Sequence, residues 1–147
     1  NRKVRFLTVT GEGYWVICMT EIRAILLEGT EAKKEGIGIP QNIEVNIRIN
    51  DVGFSGDELK FKFTYETTYH PKLGYLKIFG TAAVGEKLTI IKSVMDGWKK
   101  NKSILPQIMG PLLNAINMTA GLNGVFISRA LNMASPFMPP KLEMRGK

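Results

Sequence analysis

Histidine and cysteine are almost missing from this 147-residue chain: His70 and Cys18 are its sole examples. A single cysteine excludes an internal disulfide and suits a reducing cytoplasm, the expected location. With one His and one Cys, neither a Cys/His zinc site nor a Cys-His nucleophile can be assembled. Long apolar runs are also lacking, so no transmembrane segment is expected. The opening NRKVRFLTVTGEGYW has basic residues before an apolar run. Gly11-Glu12-Gly13 breaks that run and no small-residue cleavage site follows, which argues against a signal peptide. Charge is scarce in one place: from Ser103 to Pro140 the only charged residue is Arg129.

What is present is ordinary globular composition, 44% hydrophobic and 22% charged, with a formal net charge of +7. The length fits one domain, 1–147, with residues 1–18 as an extra N-terminal hairpin or extension. A basic balance admits acidic partners, nucleic acid or anionic lipid. The basic residues are dispersed, however; the densest groups are Arg2-Lys3-Arg5 and Lys92 with Lys99, Lys100 and Lys102. Without basic-aromatic interleaving, a nucleic-acid partner is not expected.

Along the chain, Lys3 to Thr10 and Tyr14 to Leu27 read as extended, with Gly11-Glu12-Gly13 as the turn of a hairpin. The second run alternates imperfectly, which predicts a bulge or two-sided burial. Glu28 to Gln41 reads as loop. Clean alternation follows: Ile43, Val45, Ile47 and Ile49; then, after a turn at Gly53 and Gly56-Asp57, Leu59, Phe61, Phe63 and Tyr65. After His70 to Gly74 come Leu76, Ile78, Gly80 and Ala82. Period-2 strands joined by short turns form an antiparallel meander with one buried face, and at least four strands are expected. Glu86 opens a short helix carrying Leu88, Ile91, Val94, Met95 and Trp98 at helical spacing. Strands first and helices last predict an α+β fold, with a short and a long C-terminal helix on one face of the sheet.

The long helix is expected from about Pro106 to about Ala134, with Ser103 as N-cap and Pro106 in the first turn. Leu105, Ile108, Met109, Leu112, Leu113, Ile116, Ala120, Phe126, Ile127, Ala130, Leu131 and Met133 share one broad face at 3.6-residue periodicity. The opposite face carries amides and small residues instead of Lys and Glu. Asn114, Asn117, Met118, Gly121, Val125 and Ser128 are therefore candidates for an oligomer seam, a dimer or tetramer, the alternative being cover by the chain itself.

Candidate chemistry is sparse. His70 sits beside Pro71 in a turn, and Cys18 lies in an apolar strand as an inert thiol. Gly11 to Gly13 precedes a strand, unlike a phosphate loop. Asp51, Asp57 and Glu58 read as turn chemistry, with cation binding as the alternative. Ser128 lacks a nucleophile-elbow setting. No enzyme activity, cofactor or metal is expected.

Three stretches carry a family likeness. Ile22 to Glu28 followed by PQNIEVNIRI, the sheet end Gly80-Thr81-Ala82-Ala83-Val84, and Pro111-Leu112-Leu113 with Leu131-Asn132-Met133-Ala134-Ser135-Pro136-Phe137 occur in an order that resembles the SecB-type export chaperones and their archaeal relatives, from about Met19 to Leu142. The resemblance implies a dimer-of-dimers tetramer with hydrophobic grooves for unfolded polypeptide, hence protein transport. Family members are acidic and this chain is basic; its first residues have no counterpart there. The expected function is a non-enzymatic chaperone. Apolar surface at the sheet-helix boundary would bind unfolded or partner polypeptides through Tyr14, Trp15, Met133, Phe137 and Met138, residues that alternatively serve core or subunit interface. A dedicated adaptor for one partner, of the antitoxin-linked type, and a basic nucleic-acid or membrane-surface binder are the other readings.

Overall fold

The computed structural model describes residues 21–136, together with the strand backbones of Phe6–Val9 (β1) and Trp15–Cys18 (β2). These two pair antiparallel from Phe6↔Cys18 to Val9↔Trp15, as the hairpin reading expects. The expected second run is divided: β2 ends at Cys18, and a 14-residue strand, β3, covers Glu21–Lys34. β4 spans Asn42–Ser55, β5 Glu58–His70 and β6 Gly74–Gly85. The helices are α1, Leu88–Asn101, and α2, Pro106–Ala130.

The expected four-stranded antiparallel sheet forms in the order β3-β6-β5-β4. In β5, Leu59, Phe61, Phe63, Tyr65, Thr67 and Tyr69 are buried at every second position beneath the helices. Leu76, Ile78, Ala82 and Val84 repeat the rule in β6. The edge strands are less buried, and each is irregular. β3 has bulges at Ile22/Ala24 and Leu27/Gly29, as its imperfect alternation suggested, and β4 has one at Ile49/Asp51.

Two boundaries differ from the sequence reading. The expected loop from Glu28 is strand as far as Lys34. Its polar side chains are satisfied across the sheet: the Thr81 hydroxyl donates to Glu28 (2.9 Å), the Tyr75 hydroxyl to Glu31 (2.7 Å), and the Thr30 hydroxyl to the Lys77 carbonyl (3.1 Å). Polarity there marks an exposed edge, which local pattern does not separate from a loop. Gly53 lies inside β4, and the turn is made by Gly56, whose φ is +62°.

α1 begins at Leu88 without a side-chain cap and ends at Lys102 in the left-handed region. Lys99 and Lys100 occupy its last turn, where the helix dipole favours cations. α2 is capped at Leu105, not Ser103, and Pro106 stands at its start. It ends four residues short of the expected Ala134. The Met133 amide donates to the Ser128 carbonyl at 2.8 Å, and Asn132 (φ +53°) takes the left-handed turn that releases the chain from the helix.

The core has two parts. One gathers Leu59, Phe61, Phe63, Val84, Ile91, Val94, Trp98, Ile108, Leu112 and Ile116 between β5-β6, α1 and the first half of α2. The other holds Tyr65, Tyr69, Leu76, Ile78 and Ala120 under the second half of α2. The buried line along α2 runs through Ile108, Leu112, Ile116, Ala120, Gly124 and Ser128, four apart, with Gly121 buried beside it. A four-residue step advances about 40° more than a full turn, so the buried side winds around the helix. Phe126 and Ala130, expected in the core, are thereby exposed.

Candidate functional site

β3 pairs with β6, yet the chain must next enter β4 on the far side of β5. The connection therefore crosses the β5–β6 turn, a width of about 14 Å at the usual strand spacing. Residues 35–41 span it in an open conformation and are pinned at both ends. The Glu35 and Gly36 amides donate to the Leu73 carbonyl at 3.0 and 3.2 Å, and the Gln41 amide donates to the His70 carbonyl at 3.0 Å. Gly36 suits the close approach: a Cβ there would stand 3.0 Å from Leu73 Cδ2. Between the pins, Ile37 and Ile39 are 94% and 92% exposed. Leaving one Ile side chain in water forgoes about 1.5–3 kcal/mol of burial.

The same end of the sheet receives the chain after α2. Met133 Sδ lies 3.0 Å from where a Cβ on Gly74 would stand, and Met133, Leu73 and Ile43 each pack against the buried cluster that contains Tyr69. The Tyr69 hydroxyl donates to the Ala134 carbonyl at 2.7 Å, and burial pushes its pKa up to about 12. Crossing loop, β5–β6 turn and post-helix segment thus meet in one apolar corner. Lys33, Lys34 and Lys72 are exposed around it, and Arg129 in the last turn of α2 is exposed as well.

A second apolar feature runs along the outside of α2. Met118, Leu122 and Phe126 are 51%, 47% and 73% exposed and recur every four residues. Asn114 and Asn117, also exposed, lie at its N-terminal end.

The expected site residues are distributed unevenly over these features. Met133 belongs to the corner, where it is half-buried. Tyr14, Phe137 and Met138 lie outside the described residues; Trp15 is placed only as backbone, at the start of β2. Of the expected seam, Asn114, Asn117 and Met118 face outward and Val125 is half-buried. Gly121 and Ser128 are both buried within the single chain, on the side of α2 that meets the sheet. A close approach on α2 is made at Gly124, against Pro136 and the chain's own sheet. A Cβ there would sit 3.1 Å from Pro136 Cγ and 3.2 Å from Leu76 Cδ2. Ile37, Ile39 and Leu122 are not among the residues singled out by sequence, and Phe126 is expected in the core rather than on the surface. The signal for the first two is GIGIP, isoleucines in a Gly/Pro loop that no strand or helix period explains.

The opposite face of the sheet offers a concavity of about 590 Å³ bordered by Arg23, Leu26, Asp51, Phe54, Glu58 and Lys62. One of its carboxylates, Glu58, already has a cation. Arg23 reaches Asp57 at 2.9 Å and Glu58 at 3.2 Å, and holds the Asp57 carboxyl below the ordinary range. His70 Nε2 lies 3.2 Å from Glu44, which is held low chiefly by a hydrogen bond from Asn46 and then by His70. Among the described residues no three His, Cys, Asp or Glu side chains are grouped to hold a metal ion. No helix there is long and apolar enough to cross a membrane.

No protein-family model matches the chain, and no curated protein does. Among solved structures, the Mycobacterium tuberculosis Rv1957 SecB-like chaperone, in complex with a ChAD peptide from the Rv1956 HigA1 antitoxin, superposes with a TM-score of 0.52. The match covers 86% of this chain and 88% of that one at 10% sequence identity. The fold is SecB-like. At that identity the likeness concerns architecture: a four-stranded antiparallel sheet followed by two helices. Within the SecB-like frame, the crossing loop of residues 35–41 is the β3–β4 connection.

Proposed function

We propose that this protein is a non-enzymatic SecB-like chaperone that holds unfolded or partner polypeptides at the corner formed by the crossing loop, the β5–β6 turn and the segment after α2. The observation that carries this reading is the exposure of Ile37 and Ile39 on a loop fixed at both ends. A pinned loop presents its apolar side chains with little ordering cost left for binding. Met133 in the corner supplies an adaptable apolar contact. Phe137 and Met138, which follow it in sequence, extend the proposed surface, and Tyr14 and Trp15 are proposed contributors from the N-terminal hairpin.

The working unit is proposed to be a homo-oligomer joined along the outer stripe of α2. Exposed Met118, Leu122 and Phe126, with Asn114 and Asn117 alongside, give a helix face with apolar anchors and amides for hydrogen bonds across a seam. A second reading, a dedicated adaptor, is supported by the neighbouring SecB-like structure, which holds one antitoxin peptide.

The test is suppression of aggregation of several unrelated denatured proteins by wild type and by the Ile37→Ser/Ile39→Ser variant. Protection of all clients by wild type and its loss in the variant support the general chaperone. Protection of none, with one stable partner copurifying, supports the adaptor. A variant that protects as well as wild type overturns the site.

A further inference from the structure

We infer that the corner selects polypeptide segments in which apolar residues are flanked by carboxylates. This deepens the proposed function and rests on it. Three lysines surround the exposed isoleucines: Lys33 and Lys34 at the end of β3, pairing with Tyr75 and Gly74, and Lys72 in the turn on which the loop is pinned. All three are exposed, as is Arg129 where α2 delivers the chain to the same corner.

Among the described residues none of the three lysines is ion-paired with a carboxylate. Glu31 accepts the Tyr75 hydroxyl at 2.7 Å and Glu44 accepts from Asn46, neutral donors that take up none of their charge; with Glu35 they stand against Lys33, Lys34, Lys72 and Arg129, and the balance stays positive. Glu35 is the remaining carboxylate on the loop. The chain as a whole carries a formal charge of +7, so the long-range field agrees in sign with the local one. A segment that seats apolar side chains on Ile37 and Ile39 brings its flanking residues within roughly a Debye length of these lysines, about 10 Å at 0.1 M salt. Carboxylates there gain attraction and ammonium groups meet repulsion. The apolar anchors distinguish such a segment from a nucleic acid, which offers the charge without aliphatic side chains.

The experiment uses the full chain and three labelled peptides with one Leu/Ile/Phe-containing core, flanked by Glu, Gln or Lys. Wild type should bind the Glu-flanked peptide at least about tenfold tighter than the Lys-flanked one in 50 mM salt, with the gap shrinking at 300 mM. Lys34→Glu/Lys72→Glu should reverse the order and leave the Gln-flanked affinity within about twofold. Lys99→Glu/Lys100→Glu, the same change of net charge on α1, should preserve the order. The milder Lys34→Gln/Lys72→Gln variant should abolish the preference if the reversal variant folds poorly.

Absence of Gln-flanked binding in wild type sinks the proposed function itself. Gln-flanked binding with no Glu preference overturns the selectivity alone. Equal loss of preference in the α1 control assigns it to net charge and overturns the site. A DNA oligonucleotide that competes as well as the Glu-flanked peptide makes the surface a polyanion binder and overturns the polypeptide assignment.

Discussion

Arg23 lies across Gly85: its Nε is 2.6 Å from the place a Cβ would occupy, and its guanidinium continues to Asp57 and Glu58. A bulge residue of the edge strand β3 is thus tied, over the end of β6, to the β4–β5 turn. Only a residue without a side chain at position 85 lets that bridge lie flat. Gly85→Val should displace the guanidinium and lower the melting temperature more than Arg23→Gln does, since it adds a clash to the lost ion pair. Equal melting of Gly85→Val and wild type would show that the bridge is not held against the sheet.

The same pair gives a pH signature. Asp57 is held below its ordinary value of 3.8, chiefly by its hydrogen bond from Arg23. Its contribution is therefore complete above about pH 4 and is lost as pH falls through the depressed value. Melting curves from pH 6 to pH 2.5 should converge for wild type and Arg23→Gln at the acid end. Curves that stay parallel would exclude the pair as a source of acid sensitivity. Both groups are exposed, so the difference should be small and should shrink with salt.

At the corner, Tyr69→Phe should cost about 1 kcal/mol by removing the hydroxyl that serves the Ala134 carbonyl. It should also change the alkaline limb. Tyr69 titrates at about 12 in the fold and near 10 when unfolded. Its stabilising effect is full below pH 10 and is lost as pH rises through 12. Chemical denaturation at pH 7 and pH 11 measures both. A Phe variant with wild-type loss between these pH values would place the alkaline sensitivity elsewhere.

Legibility followed the strength of the local pattern. Leu59 to Tyr69 and Leu76 to Val84 alternate in burial because they form the two central strands, buried on one face and more open on the other. β3 was cut short in the sequence reading because its last residues, Glu28 to Lys34, are polar on both faces, and the groups that satisfy them come from β6, some 50 positions away. The buried face of α2 is as expected through Ile108, Leu112, Ile116 and Ala120, and departs from the expectation only in the C-terminal half. Its central residues are small, and Ala120, Gly121, Gly124 and Ser128 allow the sheet to come in where larger side chains mark the opposite side. Phe126 fits the expected face by periodicity, yet the winding of the buried side leaves it exposed. The corner was half visible: Met133 was named, but the exposure of Ile37 and Ile39 depends on a crossing that only the strand order reveals.

Gly124 and the outer stripe of α2 are separable by mutation. Gly124→Ala places its methyl 3.1–3.2 Å from Pro136 and Leu76, a contact that relaxes by small shifts, and gains helix propensity. Its net effect should lie within about 1 kcal/mol of zero. Gly124→Leu overfills the same gap and should destabilise the folded subunit by about 1–3 kcal/mol or more. Leu122→Lys/Phe126→Lys acts on the other side of the helix. Both positions are exposed in the single chain, so the subunit should keep its stability to within about 1 kcal/mol in total. If a second copy covers the stripe, the same change buries two ammonium groups in an apolar seam, and the assembly should fall apart. Light scattering together with thermal melting at several protein concentrations reads the two effects separately. Wild type should be larger than a monomer, with a melting temperature that rises with concentration; the double Lys variant should be monomeric, with a concentration-independent melt. A monomeric wild type, or a double Lys variant that stays assembled, would remove the α2 stripe from the proposed oligomer.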